Sequence, residues 1–201
     1  MGDHWNHNAH HHPLVLAEVP EGCGSALDVA CGDGQLAGRL AAHVPQVTGV
    51  DRSPEMIRLA RERHGGAGVR FVEADFLEFH DESRSGGYDL ITCVAGVHHM
   101  DFAAAIGSMV RLLAPGGKLV IIGVARSRNP LDLARSAAAV PAHLVLSRRH
   151  GGARVAPGMP TTEPTMSWGQ VRRAAERLLP GSAFRRHLLW RYSLTWTKPG
   201  A

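Results

Sequence analysis

The sequence predicts an α/β fold, a doubly wound and mostly parallel sheet that closes with an antiparallel strand pair. Three observations carry this. Apolar, β-prone runs alternate with helical spacing from Ser25 to Gly123, the signature of a parallel sheet covered by helices on both faces. The first strand passes through an aspartate into a glycine-containing turn that opens directly into a helix. The last two β-prone runs, Ala183–Leu188 and Arg191–Thr197, are separated by so few residues that they must pair antiparallel. At 201 residues, 44% of them hydrophobic, the chain suffices for one well-cored domain and is too short for two ordinary ones.

The elements follow in order. After a polar, His-rich opening, Pro13–Val19 reads as part of a short helix lying over the end of the sheet where ligands bind. Ser25–Val29 is the first strand, and helical spacing runs from Gln35 through His43. Val47–Val50 is the second strand; Ser53 then caps, and Pro54 opens, a helix to about Arg63. Val69–Val72 and Tyr88–Cys93 are the third and fourth strands, followed by a helix over Phe102–Leu113. Pro115-Gly116-Gly117 is a turn before the fifth strand, Lys118–Gly123. The rhythm then changes to a helix over Pro130–Ser147, a loop or short hairpin from Gly151 to Pro164, and a helix over Ser167–Leu179. Ligands of such sheets bind beyond the carboxyl ends of the strands.

Composition excludes several classes. No apolar run reaches the roughly 18 residues of a membrane helix, and Met1-Gly2-Asp3-His4-Trp5 lacks the pattern of a secretory signal, so a cytoplasmic protein without a membrane partner is expected. Cys23, Cys31 and Cys93 have neither disulfide nor zinc spacing and read as small buried residues. His4, His7, His10, His11 and His12 have no Cys or carboxylate cluster to complete a tetrahedral set, so no metal is expected. The net charge of +4 permits an anionic partner. Arg148-Arg149-His150 with Arg154, and Arg185-Arg186-His187 with Arg191, offer a hold for an anionic substrate or RNA, but read first as solvated faces and loop charges.

The chemistry is concentrated in Ala26-Leu27-Asp28-Val29-Ala30-Cys31-Gly32-Asp33-Gly34. Its Gly32-x-Gly34-x-x-Ala37 spacing also fits a dinucleotide turn, in which a pyrophosphate approaches the helix N-terminus. Charge decides between ligands: Asp28 at the strand end and Asp33 inside the turn repel a pyrophosphate. They suit a ligand that brings an ammonium and a sulfonium to the same place, which describes S-adenosylmethionine.

Five segments in order extend this reading. They are Leu27–Gly34; Gly49-Val50-Asp51-Arg52-Ser53 with Met56; Glu73-Ala74-Asp75-Phe76; Tyr88-Asp89-Leu90-Ile91; and Leu112–Leu119 around Pro115-Gly116-Gly117. On these residues the chain resembles the class I S-adenosylmethionine-dependent methyltransferases, of the small bacterial kind acting on small molecules. The resemblance covers nearly the whole chain and departs at Ala30, where the family most often has glycine. It implies a Rossmann-like, seven-stranded sheet whose seventh strand is inserted antiparallel beside the fifth. S-adenosylmethionine is the implied cofactor and S-adenosylhomocysteine the product.

The resemblance also implies roles. Asp28 with Ala30, Cys31, Gly32 and Gly34 holds the cofactor, together with Val94 after the fourth strand. Asp51 accepts the ribose hydroxyls, Asp75 the adenine amino group, and Phe76 offers a backbone amide to the ring, while Arg52 and Met56 flank the adenosine. His98 and His99 follow the fourth strand, where the methyl group is faced, and either imidazole can take a proton near neutral pH. Residues 1–24 form a lid in which Trp5, Asn8 and His11 meet ligands, and 125–166 a substrate-covering insertion within one domain. The partner is a small methyl acceptor, aromatic or heteroaromatic, methylated on O, N or C; the protein is a monomer or homodimer. An RNA methyltransferase using the basic clusters is the alternative, disfavoured because Val94-Ala95-Gly96-Val97 stands where nucleobase amine methyltransferases carry an Asn/Asp-Pro-Pro-aromatic element. A non-catalytic cofactor-binding homologue is the other.

Overall fold

The computed structural model describes residues 5–66, 68–84, 86–128, 130–152 and 162–200. Seven strands form one sheet: β1 (Ser25–Val29), β2 (Gln46–Asp51), β3 (Val69–Glu73), β4 (Tyr88–Val94), β5 (Leu113–Gly123), β6 (Ala183–His187) and β7 (Arg191–Thr197). Their order is β3-β2-β1-β4-β5-β7-β6. The first five run parallel, β7 lies antiparallel against β5, and β6 antiparallel against β7. The Rossmann-like class and the closing strand pair are therefore as expected. Strand order reverses at β1 and β4, and the crevice beyond their carboxyl ends is where this architecture holds ligands.

The helices are α1 (His12–Leu16), α2 (Gln35–Leu40), α3 (Pro54–His64), α4 (Phe102–Leu112), α5 (Pro130–Arg149) and α6 (Trp168–Leu178). Alternation along the strands splits the core in two. Leu27, Val29, Ile91, Cys93, Leu119 and Ile121 face one layer with Ile106 and Met109 of α4 and Val171 and Ala175 of α6. Ala26, Leu90, Val120 and Ile122 face the other, with Leu36 and Leu40 of α2 and Ile57 and Ala60 of α3. Local signals match: the Ser53 side chain accepts from Met56 N at the start of α3, and Ser167 and Gln170 form a reciprocal capping box on α6.

Three boundaries differ from expectation. α2 stops at Leu40 rather than His43, because Ala42 and His43 bond three residues back to Arg39 and Leu40, a tightened last turn. Pro115-Gly116-Gly117 lies inside β5 rather than before it: Leu113 pairs with Tyr88, and the register shifts before Leu90 meets Lys118. That stretch is held by Gly116 N to Lys198 O at 3.0 Å and Lys198 N to Gly117 O at 2.9 Å. The helix after β5 runs on to Arg149. Most of the expected loop or hairpin, residues 153–161, lies outside the described residues. Among the described residues no helix is long and apolar enough to cross a membrane.

Among its described side chains, helix α5 turns several polar groups inward beside the buried Ala139. Asp132 pairs with Arg186 at 2.7 Å, Ser136 bonds Ser127 and its carbonyl accepts from Trp190 Nε1, and His143 meets His7 at 2.8 Å. Leu133, Val140 and Leu144, on the flank next to these residues by helical spacing, are exposed.

Candidate active site

The loop after β1 folds back on itself because alternate residues are left-handed: Ala30, Gly32 and Gly34 have φ of 55°, 55° and 80°. Alanine tolerates this region at a cost of about 1–2 kcal/mol, which gives the glycine preference at position 30 its physical reason. A Cβ on Gly34 would stand 2.8 Å from Phe71 Cζ, so Gly34 serves the turn and the packing beneath it. Asp51, the last residue of β2, secures the loop from the side: its Oδ2 accepts from Gly32 N and its Oδ1 from Ser53 N, each at 2.9 Å.

Asp28 is the unusual group. It is 2% exposed, its Oδ1 accepts from Thr92 Oγ1 at 2.8 Å, and its Oδ2 is buried with no hydrogen-bond partner. Burial, with the negative charge of Asp51 adding to it and the Thr92 bond opposing, pushes its carboxyl up to about 7. Asp33 departs from the charge reading of the sequence: its Oδ2 pairs with Arg63 Nη1 of α3 at 2.6 Å. Asp33 thus lines the same cavity as Asp28 with its charge balanced from the neighbouring helix, while Asp28, in β1, keeps an oxygen without a hydrogen-bond partner.

Beyond β4, a 3-10 turn over Val97–His99 sets the His98 and His99 rings 4.0 Å apart. Burial, then the neighbouring charges of His99 and Arg191, lowers His98 to about 4. Burial also lowers His99, with Arg52 adding to it and Asp51 opposing. Both imidazoles are uncharged at neutral pH, and His98 Nδ1 is buried with no partner.

The N-terminal segment folds over this end. Asn6 Oδ1 accepts from Asn8 N at 2.9 Å and Ala9 N at 2.8 Å, Trp5 stacks on His150 of the chain after α5 at 4.9 Å, and Asn8 Oδ1 accepts from Arg191 Nη2 at 2.7 Å.

Between these parts lies a cavity of about 560 Å³. It brings together Asp28, Ala30, Cys31, Gly32, Asp51, Met56, Val94, His98 and His99, with Asn8 from the N-terminal segment. Gly34, Arg52, Asp75, Phe76, Trp5 and His11 are not on its wall. Arg52 and Asp75 are exposed, Asp75 Oδ1 accepting from Leu77 N at 2.9 Å. Phe76 turns its ring into the core, and His11 Nδ1 donates to His7 O at 2.9 Å. The wall also includes His7, Gln35, Leu36 and Thr162, which sequence reasoning did not select, and Arg191, which it read as part of a basic cluster able to hold an anionic substrate. A second cavity of about 430 Å³ meets the first at His98 and Val124 and is walled by Met100, Phe102, Met166, Val171 and Tyr192. No group of three or more His, Cys, Asp or Glu among the described residues is placed to hold a metal ion.

The chain has clear relatives. The methyltransferase-domain family matches residues 26–117. An uncharacterised methyltransferase of Mycobacterium tuberculosis is 34% identical over 203 residues, covering 99% of this chain and 100% of that protein. A demethylmenaquinone methyltransferase of Thermus thermophilus is 40% identical over 116 residues, covering 54% of this chain and 50% of that one. Among solved structures, an amino pentose methyltransferase of Micromonospora echinaspora with S-adenosylmethionine bound shares the fold, with a TM-score of 0.64 at 20% identity over 98% of this chain and 92% of that one.

Proposed function

The chain belongs to the class I S-adenosylmethionine-dependent methyltransferases, and from that premise we propose that it methylates O, N or C of a small, aromatic or heteroaromatic acceptor held beside His98. The observation that carries the cofactor's place is the orphaned Asp28 Oδ2 at the crest of β1, on the wall of the larger cavity. A buried carboxylate oxygen without a donor is costly, and an ammonium is the group that relieves it. The residues present fit the cofactor.

When bound, the cofactor supplies a methyl group already activated on a positively charged sulfur. The protein's part is alignment and exclusion of water. Asp28 takes the ammonium, and the free lone pairs of Asp51 take the ribose hydroxyls. Met56 and Leu36 supply apolar contact, while Asp75, Phe76 and Arg52 act from the rim. The smaller cavity has a mixed lining, Met100, Phe102, Met166 and Val171 beside Asp101, Thr165 and Arg177, which suits a planar ring carrying polar substituents, and its junction with the larger one at His98 suits transfer between them. His98 and His99, uncharged at neutral pH, accept a hydrogen bond or a proton from the acceptor. The N-terminal segment, with Asn8 on the wall and His11 and Trp5 behind it, closes the site together with Thr162 and Pro164 of the described part of the 125–166 region.

Asp51→Ala should weaken S-adenosylhomocysteine binding by more than about tenfold, since hydrogen bonds to a charged group contribute roughly 1.5–3 kcal/mol each. His98→Ala and His99→Ala should leave that affinity nearly unchanged while one of them lowers turnover. Unchanged turnover in both removes the proton-accepting role.

A further inference from the structure

Arg191 stands at the start of β7, on the wall of the larger cavity. Loss of hydration pulls its guanidinium down to about 10, and no carboxylate among the described residues contributes to its balance. Glu163, on the same wall, is exposed and forms no ion pair with it. Its partners are neutral: Nε and Nη2 donate to Asn8 Oδ1 at 3.2 and 2.7 Å, and Nη1 to Leu189 O at 3.2 Å. A guanidinium has five N–H donors, so each terminal nitrogen keeps one N–H unused by these bonds. The charges that feel Arg191 are imidazoles, those of His7, His11 and His98, each made harder to protonate by it. Arg191 is half-buried, and a cation drawn partly out of water without a counter-ion is better satisfied when an anionic ligand completes it.

We propose that Arg191, beside His98, is the binding site for an anionic group, a carboxylate or phosphate, on the methyl acceptor. The planar fork of arginine matches the paired oxygens of either group. The cofactor's own carboxylate is the other source of such a group, and position argues against it. Strand order puts β7 three places from β1, roughly 14 Å across the sheet at the usual strand spacing. The balance of Asp28 is set by burial, Thr92 and Asp51, with no part from Arg191. A carboxylate on the same carbon as an ammonium held at Asp28 stays within about 4 Å of it. Arg191 lines the larger cavity and not the smaller one, three strands away from Asp28, so an acceptor ring in the smaller cavity reaches it with its anionic group across His98. The arginine read from sequence as one of several surface charges becomes a determinant of which substrates enter.

The proposal rests on the methyltransferase reading, and its test separates the two. The S-adenosylhomocysteine complex is titrated with benzoate, phenyl phosphate and benzamide in the wild type, Arg191→Gln and Arg191→Lys, with S-adenosylhomocysteine affinity measured in parallel. One of the two anions should bind the wild type at least about tenfold more tightly than benzamide, the amount one charged hydrogen-bond pair supplies. Which of them binds says whether carboxylate or phosphate is recognised. Arg191→Gln should erase the preference and Arg191→Lys restore part of it, both with cofactor affinity unchanged within about threefold. Equal binding of anions and amide by the wild type overturns the proposal and needs no variant to do so. Loss of S-adenosylhomocysteine affinity by tenfold or more in folded Arg191→Gln overturns it too, by assigning the arginine to the cofactor's carboxylate. Failure of the wild type to bind S-adenosylhomocysteine at all strikes the cofactor reading itself, and the acceptor site with it.

Discussion

Asp28 couples stability to ligand binding. Its carboxyl titrates near 7 in the fold and near about 3.9 in an unfolded chain. Between these values the folded state holds a proton that the unfolded state has lost, so this group's cost to stability grows from about pH 4 to pH 7 and then levels. Asp28→Asn keeps an oxygen for Thr92 and removes the charge. Thermal unfolding of the empty protein should show the Asp28→Asn variant more stable than wild type at pH 8 and equal to it near pH 4, while S-adenosylhomocysteine affinity falls by more than about tenfold. Lower stability of the variant at pH 8 would show that the carboxylate is not strained. Ala30→Gly relieves a left-handed alanine, at φ of 55°, and should change stability by less than about 1 kcal/mol, because relief is offset by the freer unfolded chain. The strand-to-aspartate-to-glycine run was legible because it is local. The pairing of Asp33 with Arg63, which offsets the charge of Asp33, crosses from the loop after β1 to α3 and leaves no mark in either segment.

At the scale of elements, β1 and β4 were readable because sheets buried on both faces require continuous apolar runs. Ser53 and Pro54 announced α3 in the same local way. Helix α5 was readable as a helix but not in its orientation: the partners of its inner face, His7, Arg186 and Trp190, come from chain segments far away in sequence. Its exposed apolar residues should therefore add little to folding. Val140→Ser and Leu144→Ser, at 44% and 47% exposure, should each shift stability by no more than about 0.5 kcal/mol. Met109→Ala, fully buried on α4, should cost about 2–5 kcal/mol by leaving a cavity. A large loss from the α5 substitutions in chemical denaturation would mean that the exposed flank is covered in solution.

Across the whole molecule, neutral histidines tie the N-terminal segment, the β4 turn and the β6–β7 turn together. His7, His11 and His98 are each lowered to about 4, and His10, His99 and His187 are also lowered, chiefly by burial. Below about 6.5 an unfolded chain protonates these rings while the fold resists, so stability present above that pH is lost as pH falls toward 4. Six such groups outweigh the opposite slope of Asp28, and the melting temperature should drop between pH 7 and pH 5; a flat or rising profile would contradict the burial of this cluster. The assembly also explains what sequence could not give. Leu189 and Trp190 are both left-handed, at φ of 57° and 59°, and this turn leads the chain to Arg191 on the cavity wall beside Asn8 from the other end of the protein. No spacing rule joins residues separated by nearly the whole chain.

The central claim is that Asp28 and Asp51 hold S-adenosylmethionine in the larger cavity, and calorimetric titration with S-adenosylhomocysteine, with NADH as the competing ligand, tests it most directly. Micromolar binding of S-adenosylhomocysteine without NADH binding, tightening from pH 6 to pH 8 as Asp28 gives up its proton, is the predicted result. Binding of NADH in its place, or S-adenosylhomocysteine affinity indifferent to both Asp51→Ala and pH, would contradict the account.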